Sequence, residues 1–483
     1  MRRRVWLAFS AATLAALVAC ASSDEEGSSL EPVVDGGSTV IDDAGPGEPD
    51  ATPGKGDASA PLWGPCNDHG WCETELPDPN LTFIDVRPFA DRAFAVAESD
   101  TLGTKVLEWT EATQAWVYVD DNSQNAYDSG AYAGKMFALS ENELYYTTAP
   151  GIVYHGKRVD PSSPFTWEST RLPYSGPTFE DRDPGRAWRL DSPVSQMMPR
   201  TYKAALGVTG TSAGDVYAWY GNRIFRRHVG GDGGTEWVSD FASADEEAGA
   251  NESFYIFNAT PGEGDEIWFI GSRGVMHAEK GFQACPTLYR KTSSGWSTVL
   301  DATYANDMCT SKPGAIPPTL VFTIPGFGTL NLPFTQAGWP TSIASVGSGE
   351  IVFYLLRSDS IFFYVNTTSG VARYNYASEV EPPVQFHTPR VHSVERVGDQ
   401  LWASGHGFVF GSEIKPSAWL VGLGIGSPEF YEQQESDLGA ELETTSVAMK
   451  GRFLDEPLYQ VRGTSKNNLW AVGNRYALHK KTP

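Results

Sequence analysis

The chain is poor in cysteine and in positive charge, and it has no apolar run long enough to cross a bilayer. Thirty-six Lys and Arg face 60 Asp and Glu, a net charge of −24 over 483 residues. That balance argues against a nucleic-acid partner, because phosphate contacts draw affinity from clustered Lys and Arg that release counterions. No apolar stretch reaches the roughly 18–20 residues of a membrane span, which excludes a multi-pass protein. A sustained helical period is also missing, and with it a stack of helical repeats. Nucleophile elbows, phosphate-binding loops, dinucleotide fingerprints, zinc-protease helices, EF-hand loops and haem attachment sites are all missing. The eight His are scattered, and His387 and His392 are five apart with no third ligand nearby, so no metal or cofactor is expected.

What is present begins with an address. Arg2, Arg3 and Arg4 precede the apolar stretch Val5 to Ala19, which has the shape of a secretory signal. The stretch ends Leu17-Val18-Ala19-Cys20 and resembles the bacterial lipobox. On that resemblance 1–19 is a signal peptide and Cys20 is lipidated, anchoring the protein to a membrane of the envelope. Ala21 rather than Asp follows the Cys, and the resemblance then favours the outer membrane, periplasmic or surface-facing. Residues 20–62 read as an acidic spacer. From 21 to 60 there is no aromatic, and ten acids stand against Lys55 alone, a composition that cannot offset its ordering entropy. Setting aside +3 for the signal and −9 for the spacer, the remainder carries −18.

Four cysteines remain, Cys66, Cys72, Cys285 and Cys309, an even number suited to an exported chain. Three pairings are open on paper. Cys66–Cys72 with Cys285–Cys309 closes the shortest loops and is the expected set.

Residues 63–483 repeat themselves. Leu206-Gly-Val-Thr-Gly210-Thr-Ser-Ala-Gly-Asp-Val216-Tyr-Ala-Trp and Tyr459-Gln-Val-Arg-Gly463-Thr-Ser-Lys-Asn-Asn-Leu469-Trp-Ala-Val-Gly473 share one frame. Weaker copies run from Phe83 to Ala97, Met136 to Tyr146, Ile256 to Ile270, Ile343 to Leu355 and Val394 to Ser404. Each reads as a hairpin, and most continue into a third run and a fourth that begins near an aromatic. Four strands per unit at roughly 50-residue spacing predict an all-β, seven-bladed β-propeller of four-stranded antiparallel blades. Eight blades, or two smaller β domains, are the alternatives. The seventh copy lacks a fourth strand, and the Trp-led segment Trp71 to Leu76 is expected to supply it and spare the ring an open edge.

The repeats resemble bacterial lipoproteins built from G-T-S-x-N-D-[VL]-W-A-V-G units, a β-propeller family. Gly230-Gly-Asp232-Gly-Gly234-Thr-Glu-Trp237 is similar to the Asp-box turn of sialidase-type propellers, with Gly230 in place of Ser. In that family the box is structural, which implies that Asp232 and Trp237 are turn residues.

Three connections are long: 173–203, 301–341 and 424–457. Each is expected to join the outer strand of one unit to the inner strand of the next, so all three emerge on one face. Their aromatics, Tyr174, Trp188, Phe322, Phe327, Phe334 and Trp339, are the candidate binding face. Stacking on sugars or gripping a protein surface suits them, and tucking back over the blades is the alternative. Arg223, Arg226 and Arg227 alternate along a strand, so they do not form a cluster gripping a carboxylate. The residues therefore favour a monomeric, non-catalytic binding or scaffolding module for an envelope protein or a polysaccharide. A glycan-acting hydrolase or lyase, and a factor assisting assembly of an envelope complex, are the alternative readings.

Overall fold

The computed structural model describes Cys66 and residues 70–126, 132–174, 205–211, 215–231, 234–242, 252–277, 281–305, 308–311, 319–324, 328–333, 338–356, 360–367, 371–376, 391–405, 408–413, 443–446 and 456–481. Cys20, the signal and the spacer lie outside them. The regular elements among the described residues are all β-strands apart from one 3-10 turn, Ser123–Asn125. They form a β-propeller of four-stranded antiparallel blades.

Second strands show why the sequence folds this way. Arg92–Ser99, Val216–Tyr220 and Asn468–Gly473 read as continuous apolar runs rather than alternating ones, and nearly every residue in them is buried. A strand covered on both faces needs that pattern. Outer strands alternate instead: Trp237 is buried while Val238 beside it is exposed. Between successive sheets the apolar faces mesh. Phe94, Val96, Tyr146 and Tyr154 join the first sheet to the second, and Tyr145, Val153, Val208 and Ala218 join the second to the third. Similar clusters follow through the later sheets. Trp470 and Val472 of the last sheet pack with Phe83, Ala95, Trp109 and Trp116 of the first. Truncating a buried Trp of this kind costs about 3–5 kcal/mol.

All seven hairpins form as antiparallel pairs. Six of them belong to four-stranded sheets, where seven such sheets were expected. The hairpin Trp339–Gly347 with Glu350–Leu356 belongs instead to a six-stranded sheet. Its fourth strand, Val371–Tyr376, pairs in parallel with Thr319–Ile324, which carries Gly328–Pro333 at the edge. The 301–341 connection is therefore not a plain loop. It holds that hairpin and a second one, Ala302–Ala305 with Met308–Ser311. The 424–457 connection also needs correcting, because Glu443–Ser446 inside it is the outer strand of the sheet that starts at Val391.

Both expected disulfides are present, Cys66–Cys72 and Cys285–Cys309. The first ties Cys66 to Cys72 within the strand Trp71–Glu73, which pairs with Ala477–Lys480 as the fourth strand of the last sheet, Trp71 opposite Lys480. Thr74 extends this contact: its hydroxyl donates to Ala477 O at 2.6 Å and accepts from Trp116 Nε1 of the first sheet at 2.9 Å. The second disulfide ties the strand Gly281–Thr292 to the 302–311 hairpin.

Candidate functional site

Two constellations of polar side chains stand out, and the repeat explains one of them. The second strand opens on a polar residue. Two places on comes a large side chain, whose third-strand neighbour reaches back to that polar group. In the last sheet Asn468 leads to Trp470, and His479 opposite stacks on the indole at 4.1 Å and hydrogen-bonds Asn468 Oδ1 at 3.0 Å. In the second sheet Glu143 leads to Tyr145, and His155 stacks on the phenol ring at 4.2 Å with its Nε2 2.9 Å from Glu143 Oε1. Asp215 with Tyr217 and Arg226, Glu266 with Trp268 and Arg290, and Arg92 with Phe94 and Glu108 are further copies.

Seen alone, Glu143, Tyr145 and His155 have the residue types of an acid–base centre. The Tyr145 hydroxyl donates to Glu143 Oε1 at 2.8 Å. Burial pushes that hydroxyl up, and the Glu143 carboxylate adds to it. Burial also pulls His155 below its usual value despite Glu143. Glu143, which burial alone would raise, ends below its ordinary value because Tyr145, His155 and Lys157 face it. Five copies of one pattern identify the trio as a clamp on the start of the second strand, satisfying polar groups that burial would otherwise strand.

The second constellation lies on or just before the first strands, most of which touch the first strand of the next sheet. One position on each faces the residue four beyond the opening polar group. Its occupants are Asp85, Lys135, Gly207, Asn258, Ser342, Ser393 and Gln460. Two residues later come Arg87, Phe137, Thr209, Thr260, Ala344, Glu395 and Arg462. In five of the strands a bulge falls immediately before the first of these positions. A bulge turns the next side chain out of the ladder's regular course. Three of these side chains then accept the backbone N–H of the neighbouring sheet's first strand. Asp85 Oδ2 takes Met136 N at 3.1 Å, Ser342 Oγ takes Val394 N at 2.9 Å, and Ser393 Oγ takes Val461 N at 3.1 Å.

On one side of this wall the side chains are charged. Arg462 donates Nε to Asp85 Oδ1 at 2.9 Å and pairs through NH1 with Glu395 Oε2 at 2.9 Å. Lys135 Nζ donates to Gln460 Oε1 at 2.6 Å and to Ile84 O at 3.0 Å. Gln460 passes the link on, donating Nε2 to Ser393 Oγ at 2.8 Å. Arg87 gives its Nε to Met136 O at 2.9 Å, and its NH2 lies 4.0 Å from Asp85. Burial would raise Asp85, but Arg462, Lys135 and Arg87 together hold it far below the carboxylate range. Burial brings Lys135 down to about 8 despite Asp85, with Arg462 and Arg87 adding to the fall. Burial and then the Arg462 charge bring Arg87 down to about 10. Arg462 ends above its ordinary value, because Asp85 and Glu395 outweigh its burial. The other side of the wall, from Gly207 to Ala344, carries no charge at these positions.

The candidate face fares differently. Tyr174 is tucked back: its ring packs edge-on against Tyr220 at 5.1 Å and its hydroxyl lies 3.3 Å from Asn222 Oδ1. Phe322 sits on the strand Thr319–Ile324 and Trp339 opens the strand Trp339–Gly347, so neither belongs to a loop. Trp188, Phe327 and Phe334 lie outside the described residues, as do Asp232 and His387. Trp237 is buried on its outer strand opposite Arg227, with two residue pairs between it and the Gly230–Gly234 contact. Arg226 is committed to Asp215, and Arg227 lies over the Tyr145 ring. Sequence reasoning missed Asp85, Arg87, Lys135, Glu395, Gln460 and Arg462 as a group. The available signal was charge inside otherwise apolar first strands, as in Phe83-Ile-Asp-Val-Arg87.

No family model matches the chain, and no curated protein does. Among solved structures it is similar to YCF48 bound to a D1 peptide, at 11% identity and a TM-score of 0.46 over 87% of this chain and 98% of that one. YCF48 from Cyanidioschyzon merolae follows at 11% identity and a TM-score of 0.43, over 86% and 99%. The polysaccharide lyase Uly1 is 9% identical with a TM-score of 0.42, over 84% and 98%. Likenesses this distant carry no ligand and no reaction over to this chain.

Proposed function

We propose that this protein is a lipid-anchored β-propeller of the bacterial envelope, acting as a non-catalytic binding or scaffolding module for an envelope protein or a polysaccharide. Lipidated Cys20 holds it to the membrane, and the acidic spacer lifts the folded part away. The G-T-S-x-N-D-[VL]-W-A-V-G resemblance supports the same setting, as does the use of four cysteines in two disulfides, which an oxidising compartment permits. The Trp71–Glu73 strand closes the ring by completing the last sheet, and the chain works as a monomer.

The observation that carries the reading is how the buried acids are used. Asp85, Glu108 and Glu266, with the half-buried Glu143, are each engaged by one or more cations or hydrogen-bond donors. Among the described residues, every acid whose titration is displaced is displaced downward. Glycoside hydrolysis needs the opposite, a carboxyl kept protonated near neutrality. The test uses the full-length protein in mild detergent with its disulfides intact, incubated with envelope extract and with a panel of bacterial polysaccharides. Retention of one defined species with no new sugar ends supports the binding module. Release of sugar products moves the protein to the glycan-acting class.

A further inference from the structure

We propose that the charged side of the inner wall takes a single carboxylate group from a ligand, held by Arg87; this deepens the binding reading above and rests on it. Five cationic or acidic side chains meet there: Arg87, Lys135 and Arg462 against Asp85 and Glu395. The surplus is one positive charge, in a chain whose net charge is −24.

Asp85 does not supply the missing anion. Its Oδ1 already accepts Val86 N–H and Arg462 Nε, and its Oδ2 accepts Met136 N–H. Lys135 spends its bonds on two neutral oxygens, Gln460 Oε1 and Ile84 O. Arg87 is the open member. Its one hydrogen bond runs from Nε to a neutral carbonyl, and NH2 comes no nearer than 4.0 Å to Asp85 Oδ2, so the terminal nitrogens make an ion pair there but no hydrogen bond, and the side chain is 17% exposed. A guanidinium's paired N–H groups match the two oxygens of a carboxylate. Arg462 and Arg87 approach different oxygens of Asp85, Oδ1 and Oδ2, and the two like charges repel. A bound carboxylate relieves that repulsion and neutralises the surplus. In this partly desolvated setting such a charge-assisted pair gains more than it would in water.

The probes are D-glucuronate and N-acetylglycine, each set against its neutral counterpart, glucose and N-acetylglycinamide. Binding to the full-length protein in mild detergent is followed by calorimetry. The expected result is saturable binding of a carboxylate and none of its neutral partner, weakened at least tenfold in Arg87→Gln. Glucuronate alone identifies an acidic sugar as the source, and N-acetylglycine alone a peptide end. Arg87→Lys, which keeps the charge and loses the fork, should weaken binding less than Arg87→Gln does and stands in if the glutamine variant does not fold. Arg226→Gln, remote from the wall, should bind as the parent does. The proposal is overturned if neither carboxylate binds, if the neutral analogue binds equally, or if a folded Arg87→Gln keeps its affinity. A partner retained equally by the parent and by Arg87→Gln, and not displaced by either carboxylate, would sink the carboxylate site and leave the binding module standing.

Discussion

The two sides of the inner wall share a backbone and differ in chemistry. On the neutral side, Asn258 and Ser342 follow a bulge, and each spends its oxygen on a backbone N–H, of Ala259 and Val394. On the charged side, Asp85 and Ser393 follow the same bulge: Asp85 repeats both bonds, accepting Val86 N–H beside it and Met136 N–H of the neighbouring sheet, and Ser393 accepts Val461 N–H as Ser342 accepts Val394 N–H. There the next inward residues are Arg87, Glu395 and Arg462, where the neutral side has Thr209, Thr260 and Ala344. A repeating scaffold therefore fixes where side chains project, and a few substitutions decide what that surface recognises. Position is a property of the repeat, and charge belongs to the individual copy.

The largest expected effect separates the two sides by stability. Asp85→Ala strands Arg462 without its closest buried carboxylate and should cost about 3–5 kcal/mol. Asn258→Ala, on the neutral side, removes one acceptor and should cost about 1–2 kcal/mol. Urea unfolding of both variants measures the difference, and equal losses would erase the distinction. Because Asp85 titrates below its unfolded value, its contribution is present above about pH 4 and fades as the pH falls further. The parent should show that acid loss, and Asp85→Ala should lack it.

Alkaline titration gives the next largest effect. Lys135 loses its proton in the folded state near 8, and near 10.5 in the unfolded chain. Between those values the unfolded chain holds the extra proton. This group therefore makes stability rise with pH there, by about 1.4 kcal/mol per unit. Lys135→Met should flatten that rise in urea midpoints taken from pH 8 to 10.5, whereas Thr209→Val should leave it intact. A slope unchanged in Lys135→Met would mean that the lysine is not the titrating group.

Smaller effects test what the sides have in common. Ser342→Ala and Ser393→Ala each remove the acceptor that links one sheet's first strand to the next, and each should cost about 1–2 kcal/mol. Closely matched losses would assign this link to the repeat, and a large gap would assign it to the charged network. Arg226→Gln breaks an exposed ion pair with Asp215 and should change stability by less than about 1 kcal/mol. A larger loss would mean that the second-strand clamp matters even where solvent screens it.

How much of this was legible follows from sequence distance. Hairpins were readable because their two strands and turn lie within about 15 residues, and alternation with turn residues marks them. The disulfide pairs were readable because each joins cysteines near in sequence, 6 and 24 residues apart. Thr319–Ile324 was not, because its partner Val371–Tyr376 lies beyond an entire hairpin pair, and Pro and Gly on either side read as loop. Glu443–Ser446 was hidden likewise, four residues in a long polar stretch. The charged wall was the least legible feature, since Asp85 and Arg462 stand 377 residues apart and meet only when the first and last sheets do. The motif itself was visible as Asn468-Leu-Trp470 or Asp215-Val-Tyr217. Its third-strand partners, His479 and Arg226, became apparent only with the register.

The strand Trp71–Glu73 has a consequence in time. Thr74 bonds Ala477, 403 residues further along the chain, so the first strand of the folded part is made long before its partner exists. At roughly 5–20 residues per second of synthesis, that wait is about 20–80 s. Throughout it Trp71, fully buried in the finished protein, has nowhere native to go. The last sheet has to leave a slot, and the opening segment has to stay unpaired until the final strand arrives to receive it.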